Sequence, residues 1–187
     1  MSIFVLMADD ERILSLFREG NREEAFSLLV STYSERLYWL IRRFTCSHED
    51  TDDLLQEVLV KAWTAFPTYR GDSRLFTWLY RIATNESLNF LRKNKVKAAL
   101  RMQSLDSILE QKIEDDPYFN GNELQRELLK AVNRLPDKQK TVFNMRYYDE
   151  MKYEDMSEIL GTSVGALKAS YHIAYTKVKS ELEKHFQ

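Results

Sequence analysis

The sequence predicts an all-α protein of two small helical domains, residues 1–95 and 123–187, joined by a flexible acidic linker over residues 96–122. Three observations support this. Apolar residues recur every three or four positions along most of the chain, which is the spacing of helices with one buried face. Only 5 Gly and 3 Pro occur in 187 residues, too few turn formers for many short strands. Seven acids face two cations in residues 102–127, which is typical of solvated chain.

The N-terminal domain contains three predicted helices. The first carries one apolar stripe over residues 24–44. The second has Asp50 or Thr51 as its cap, and it ends at Pro67 because proline disfavours helix in the residue before it. The third follows a loop, has Ser73 as its cap and continues to the end of the domain.

The C-terminal domain ends in a predicted helix-turn-helix. Its first helix stops at Pro136, and a second covers residues 138–147. A short helix from Tyr153 then leads to Gly161, which supplies a positive φ at the turn, and Ser163 caps a long final helix. That helix is apolar on one side, and its other side is cationic without an acid up to Lys179. An ordinary helical hairpin is the alternative to DNA binding.

The third helix of the N-terminal domain carries an unusual stripe. Residues 69–101 hold eight cations against two acids, and a local positive field attracts polyanions. Aromatic rings stack on unpaired bases, amides bond to base edges and Arg holds phosphate, so such a stripe suits single-stranded nucleic acid. Taken alone, however, the stripe favours the alternative, in which Trp78 is half-buried packing and the amides are merely exposed. Its members share one helical face: Trp78, Arg81, Asn85, Asn89 and Arg92. Three residues in the loop and first turn extend it: Tyr69, Arg70 and Phe76.

Two long motifs resemble a known family. Residues 52–63 (DDLLQEVLVKAW) and 69–85 (YRGDSRLFTWLYRIATN) resemble conserved region two of bacterial sigma factors of the extracytoplasmic-function (ECF) type. Residues 135–143 (LPDKQKTVF), with the helix-turn-helix, resemble region four. The resemblance covers residues 21–95 and 123–184, in the family's order.

The resemblance implies a function in transcription initiation and a set of partners. Region two binds the β′ clamp helices of RNA polymerase core, here through Asp52, Asp53, Gln56, Glu57, Lys61 and Trp63. It also melts and reads the minus-ten promoter element on the non-template strand, here through Tyr69, Arg70, Phe76, Trp78, Arg81, Asn85, Asn89 and Arg92. Region four contacts the β flap and reads the minus-thirty-five duplex, here through Arg146, Ser163, Gly165, Lys168, Ser170, His172 and Lys179.

Further expectations concern the linker, regulation and departures from the family. The family's linker crosses the RNA path of the polymerase, where an acidic segment mimics nascent RNA, and many members are held by an anti-sigma factor. Asn89 stands where many members have Asp. Ser170, Ile173 and Tyr175 stand where basic residues are common, so we expect a weaker, less salt-sensitive grip on duplex DNA.

Other classes of function remain open at this point. Asp52, Asp53 and Glu57 resemble the Mg²⁺-binding motifs of helical prenyl-transfer enzymes, but no second acidic cluster faces them. Cys46 and His48 lack the further ligands of a metal site. A helix-turn-helix regulator with a sensory domain is the nearer rival.

We expect no enzyme activity, no cofactor and no metal. The chain has no apolar run near ~18 residues and no signal peptide, which predicts a cytoplasmic protein.

Overall fold

The computed structural model confirms an all-α architecture in two domains. It describes residues 3–71, 73–100, 102, 104–117, 119 and 121–186, with only the backbone for 3–8 and 105. Asp72 of the loop, Arg101 of the basic segment and Asn120 of the linker therefore lie outside the described residues. Among the described residues, every helix is too short or too polar to span a bilayer.

Four helices build the N-terminal domain, and the first of them was not assigned from the sequence. Helices α1 to α4 span Ile3–Arg18, Arg22–Thr45, His48–Ala65 and Leu75–Leu100. The predicted stripe of α2 is its buried face, and Leu29 and Leu37 are fully buried. Val58 of α3 and Leu79 of α4 belong to the same core. The packing confirms that helical spacing identified the interior of this domain.

The start of α3 differs from the prediction. Ser47 is the cap, and its side chain accepts a hydrogen bond from the Asp50 amide at 3.4 Å. Thr51 lies inside the helix, fully buried, with its hydroxyl 2.7 Å from that of Thr45 and 2.6 Å from the Ser47 carbonyl. Cys46 precedes the cap with φ +55°, so the break between α2 and α3 is only two residues long.

The linker contains a helix where the sequence indicated only a weak amphipathic segment before open chain. Helix α5 spans Leu105–Glu114, and its Leu109 and Ile113 are buried in the core of the molecule. The described part of the segment is therefore not extended throughout. Two apolar side chains one turn apart are enough to fasten a short helix to neighbouring helices.

The C-terminal domain begins with a complete capping box. The Asn122 side chain accepts from the Gln125 amide at 2.9 Å, and the Gln125 side chain accepts from the Asn122 amide at 2.8 Å. Helices α6 and α7 span Glu123–Asn133 and Asp137–Phe143. The helix predicted over residues 138–147 changes character at its end, because Asn144–Tyr148 form a π-helical turn.

The helix-turn-helix follows the prediction closely. Helices α8 and α9 span Tyr153–Leu160 and Val164–His185. Gly161 has φ +60° and its amide bonds to the Ser157 carbonyl, which ends α8. Ser163 caps α9 by accepting from the Ala166 amide at 3.3 Å. Both local signals work because they satisfy backbone groups that a helix end leaves unpaired.

The two domains pack against each other. One buried cluster contains Leu79 of α4 together with Met145, Met156 and Ile159 of the C-terminal domain. A second, smaller cluster holds α6, α7 and α9 together, with Val132, Phe143, Ala174 and Val178 among its members. Each domain thus has its own contacts, and the larger core crosses the boundary between them.

Gly161 allows a stability test of the turn. In Gly161→Ala the left-handed backbone carries a Cβ, which costs about 1–2 kcal/mol, although no atom lies within 4 Å of the new group. Urea unfolding followed by far-UV circular dichroism measures this loss. Gly165→Ala is the matched control, because Gly165 also has open space but lies inside helix α9 without positive φ. We expect it to be neutral or stabilising. Equal losses in both variants would contradict the role of φ.

Candidate nucleic-acid interface

The predicted stripe on α4 forms a continuous surface only in part. Asn85 and Arg92 are exposed, whereas Trp78, Arg81 and Asn89 are half-buried. Arg92 donates to the Asn89 side-chain oxygen at 3.2 Å, so these two residues brace each other one turn apart. The face therefore presents the exposed amide of Asn85, and further along α4 the hydrogen-bonded pair of the Arg92 guanidinium and the Asn89 amide.

Two rings form the aromatic part of this surface. Trp78 and Tyr69 have ring centroids 5.3 Å apart, and both also lie near Phe66, which is buried. The Tyr69 hydroxyl bonds to the Ser73 carbonyl, which closes the loop that leads into α4. The loop, ring and helix are thus fixed relative to one another, and Arg70 of the same loop is exposed.

Phe76 does not extend the Trp78 surface. Residues two apart in a helix point away from each other, and the Phe76 ring stacks on Tyr33 with centroids 5.7 Å apart. The Arg36 guanidinium lies 3.7 Å from the Phe76 ring centroid. The ring is therefore used in packing α4 against α2.

Arg81 makes a contact that the sequence did not indicate. Its guanidinium donates to the Glu158 carbonyl oxygen of α8 at 2.8 Å. Its Nε is buried and has no hydrogen-bond partner among the described residues. One of the predicted phosphate-binding cations is thus engaged with the helix-turn-helix.

The recognition helix α9 presents a polar surface opposite its buried side. Leu167, Ala174 and Val178 are buried. The exposed predicted residues are Ser163, Gly165, Lys168, His172 and Lys179, and Ser170 is half-buried. Lys168 has its ammonium 5.6 Å from the Tyr153 ring centroid, a cation–π contact that leaves the group exposed.

Arg146 has a structural contact within the C-terminal domain. It is half-buried, and its guanidinium donates to the carbonyls of Glu150 and Met151 at 3.4 and 3.1 Å. The same group lies over the Tyr153 ring at 5.3 Å. These contacts hold the turn before α8 in place. Glu150 in that turn has φ +49°.

The predicted core-binding residues lie on the side of α3 that faces away from the interior. The inner side consists of Thr51, Leu54, Val58 and Ala62. The outer side consists of Asp53, Gln56, Glu57, Lys61 and Trp63, which are exposed, and Asp52, which is half-buried. Trp63 packs edge-on against Phe26 at 5.0 Å, and Lys61 pairs with Glu86 of α4 at 2.5 Å.

The two other chemistries considered for this domain have no supporting geometry in the described part of the chain. No group of three or more His, Cys, Asp or Glu there is arranged to hold a metal ion. Cys46 is buried, and burial raises the pKa of its thiol to about 11, which disfavours the nucleophilic thiolate. His48 hydrogen-bonds the Tyr38 hydroxyl at 2.7 Å.

Three residues at the domain boundary were missed by the sequence reasoning. Asp149 accepts hydrogen bonds from Tyr80 at 2.5 Å and from Arg43 at 2.7 Å. Burial, and then the Asp149 carboxylate, raise the pKa of Tyr80 well above its ordinary value. No sequence signal links them, because Tyr80 and Arg43 precede Asp149 by 69 and 106 residues.

Comparison with known proteins assigns two regions of the chain to one family. The family model of sigma-70 region 2 matches residues 29–96, and that of sigma-70 region 4 matches residues 125–178. The ECF RNA polymerase sigma-E factor of Haemophilus influenzae is 29% identical over 182 residues, which cover 93% of this chain and 95% of that protein. The ECF RNA polymerase sigma factor SigW of Bacillus subtilis is 26% identical, covering 86% and 90%.

Two solved structures share the fold. One is the sigma factor RpoE in complex with the anti-sigma factor NepR from Bartonella quintana, with a TM-score of 0.68, 22% identity, and coverage of 84% of this chain and 96% of that one. The other is CnrH in complex with the cytosolic domain of CnrY, with a TM-score of 0.68, 21% identity, and coverage of 94% and 98%. The chain belongs to the sigma-70 family as an ECF-type sigma factor, a non-enzymatic protein that directs RNA polymerase in promoter-specific transcription initiation.

Proposed function

We propose that this sigma factor reads two promoter elements with two separate surfaces. The α4 face opens the minus-ten element and reads its non-template strand, and helix α9 reads the minus-thirty-five element as duplex. The observation that carries the proposal is the α4 surface, where Trp78, paired with Tyr69, shares one helical face with Arg81 and the exposed Asn85. A regulator that binds only duplex DNA has no use for such a face.

The minus-ten surface acts by differential affinity. Unpaired bases expose ring faces and edges that the duplex hides, so a surface that binds them shifts the melting equilibrium towards the open state. Trp78 and Tyr69 supply a stacking surface, and Arg70, Arg81 and Arg92 supply charge for the backbone. Asn85 has a short side chain that bonds a flipped base held against α4. Phe76, which packs against Tyr33, supports the helix rather than the strand.

The minus-thirty-five surface acts through the exposed side of α9. Ser163 and Gly165 lie at its N-terminal end, where recognition helices approach base edges. Lys168 follows on the exposed side of the next turn. Arg146 supports this surface by fixing the turn before α8, since its guanidinium is occupied by backbone carbonyls.

The outer side of α3 is the proposed contact with the β′ clamp helices of core polymerase, and the C-terminal domain contacts the β flap. Asp53, Gln56 and Glu57 are exposed there beside Trp63, which is 40% exposed despite its size. An anti-sigma factor is a further proposed partner. Two solved proteins of this fold are recorded in complexes of that kind, RpoE with NepR and CnrH with the cytosolic domain of CnrY.

Capture by core polymerase followed by run-off transcription tests the overall proposal. A sigma factor binds core and yields a transcript from its own promoter. A helix-turn-helix regulator binds promoter duplex without core and gives no transcript from core alone. Absence of core binding would overturn the proposal.

Reversing one charge tests the α3 surface. Glu57→Lys should weaken assembly with core polymerase at least tenfold, because it reverses a charge within the proposed contact, while helix content stays unchanged. Analytical gel filtration of the holoenzyme measures the affinity. Glu35→Lys is the control, since Glu35 is an exposed acid on α2 outside the proposed surface. Unchanged affinity in Glu57→Lys would refute the contact.

Removing one cation tests helix α9. If Lys168 contacts phosphate, Lys168→Ala weakens binding to every upstream duplex and lowers the salt slope by about one. If Lys168 reads a base, the loss is confined to one sequence. Fluorescence anisotropy at several salt concentrations separates the two. Lys184→Ala, near the far end of the same helix, is the matched control, and equal behaviour of the two variants would contradict this docking of α9.

Truncating one amide tests strand opening. Asn85→Ala should slow formation of the open complex on duplex promoter, while the closed complex still forms through the C-terminal domain. On a template with a pre-melted bubble, the defect shrinks if Asn85 acts in melting and persists if it reads the exposed base. Permanganate footprinting on both templates measures this. Normal opening on the duplex template would refute the assignment of the α4 face.

A further inference from the structure

We propose that the chain closes on itself: the C-terminal domain docks on α4 through Asp149 and withholds Arg81 from single-stranded DNA. The occupant of this part of the α4 surface is thus the chain's own helix-turn-helix. The functional part of the inference rests on the proposed role of α4 in strand binding, whereas the docking itself does not.

Asp149 joins three elements at one carboxylate. Its Oδ2 accepts from the Tyr80 hydroxyl of α4 at 2.5 Å, and its Oδ1 accepts from the Arg43 guanidinium of α2 at 2.7 Å. Arg43 also lies over the Tyr148 ring, 4.6 Å from its centroid. Charged partners strengthen both hydrogen bonds. Asp149 is thus the C-terminal domain's polar anchor on the N-terminal domain.

Helix α8 lies over α4 beside this anchor. The Arg81 guanidinium donates to the Glu158 carbonyl at 2.8 Å. Met156 and Ile159, one turn apart on α8, are buried in the same cluster as Leu79 of α4. The contact therefore has an apolar centre and polar bonds at its edge, which is the anatomy of a specific interface. Asn85 remains exposed, so the closed arrangement occupies the guanidinium but leaves the amide accessible.

Helix α5 of the linker fastens the two domains from another side. Its Lys112 pairs with Asp50 of α3, and Asp116, just beyond α5, pairs with Arg42 of α2. Towards the C-terminal domain, Glu114 pairs with Lys130 at 2.8 Å and Glu110 pairs with Arg134 at 2.7 Å. The acids of the linker are thus distributed between cations of both domains.

The closed arrangement excludes simultaneous reading of the two elements. Elements centred ten and thirty-five base pairs upstream lie roughly 85 Å apart at 3.4 Å per base pair. In the structure Arg81 of one proposed reader touches Glu158, which is only five residues before the cap of the other. The domains must therefore separate before both elements are bound.

The interface also contains a group that favours its opening. The Nε of Arg81, the residue that contacts α8, is buried without a hydrogen-bond partner among the described residues. Buried polar atoms without partners destabilise a state, and water or DNA satisfies them once they are exposed.

Cys46 supplies a direct reporter of docking, because it is the chain's single cysteine. It is 1% exposed and shares its buried cluster with Val142 and Met145 of the C-terminal domain. Burial raises the pKa of the thiol to about 11, and Lys140 of the C-terminal domain is among the groups that lower this pKa. Separation of the domains should expose the thiol and return its pKa towards ~8.5, so labelling by maleimide at pH 8 reports opening.

The experiment compares labelling rates of the full chain and its variants by mass spectrometry. Asp149→Ala should label about tenfold faster or more, because it removes a charged acceptor of two bonds. Tyr80→Phe, which keeps the shape of the side chain, should also label faster, and the double variant should label more slowly than the product of the two effects predicts. Glu154→Ala removes an exposed acid of α8 and should label at the parent rate.

A second measurement tests the consequence for DNA. Fluorescence anisotropy with a random-sequence, single-stranded 12-mer should show tighter binding by Asp149→Ala than by the parent chain, because Arg81 is released. Parent-like labelling of both Asp149→Ala and Tyr80→Phe would overturn the docking. The inhibitory role would be overturned if Asp149→Ala labels faster but binds the strand no more tightly than the parent chain, while Asn85→Ala does weaken strand binding. Faster labelling without strand binding by any variant would support the docking and refute the proposed role of α4.

Discussion

The relation between the two domains depends on the Asp149 carboxylate. Each domain has an apolar interior that its own helices build, but the boundary between them contains few polar contacts of defined direction. Asp149 supplies two of these, to Tyr80 and Arg43, and both donors lie on helices that also form the N-terminal core. Removing one partner of such a group leaves the others buried and unpaired, which costs more than the bond itself contributes. Beside this anchor, α8 lies over Arg81 with its Met156 and Ile159 buried in the shared core.

The acidic linker has a second use in this arrangement. Its carboxylates at positions 110, 114 and 116 are paired with cations of both domains in the structure. The pKa of Glu114 lies below its ordinary value, since Lys130 donates a hydrogen bond to it. The pairs of Glu110 and Glu114 are partly exposed and weaken with salt, whereas Asp116 and Arg42 are largely buried. Once the domains separate, the same acids can enter a different environment, such as the RNA path of the polymerase that the family resemblance implies.

The sequence predicted what depends on neighbouring residues. The stripe of α2 and the cap and glycine of the helix-turn-helix were confirmed because 3.6-residue spacing and backbone satisfaction are local properties. Two local assignments were inaccurate for local reasons. Ser47 displaced Asp50 and Thr51 as the cap of α3, since the Thr51 hydroxyl is used in the interior. Phe76 was grouped with Trp78 although their positions face opposite sides of α4.

The contacts that decide how the domains meet could not be predicted in this way. Nothing in the neighbourhood of Asp149 indicates Tyr80 or Arg43, and the amphipathic pattern of residues 105–113 does not indicate which surfaces cover Leu109 and Ile113. A stripe predicts that a face is buried, but it does not identify its partner. The sequence therefore did not indicate that Arg81 contacts α8. Its four-residue spacing from Asn85 is equally consistent with a DNA contact and with a contact to α8.

A weak interface suits a protein that must read two distant elements. A ligand shifts an equilibrium only by its differential affinity for the two states. If the closed state were much more stable than the open one, most of the binding free energy of DNA and polymerase would be used to open the chain. The interface combines strong bonds at Asp149 with a buried Arg81 Nε that has no partner among the described residues. Because the favourable and unfavourable contributions at this boundary oppose each other, the free-energy difference that binding partners must reverse is reduced.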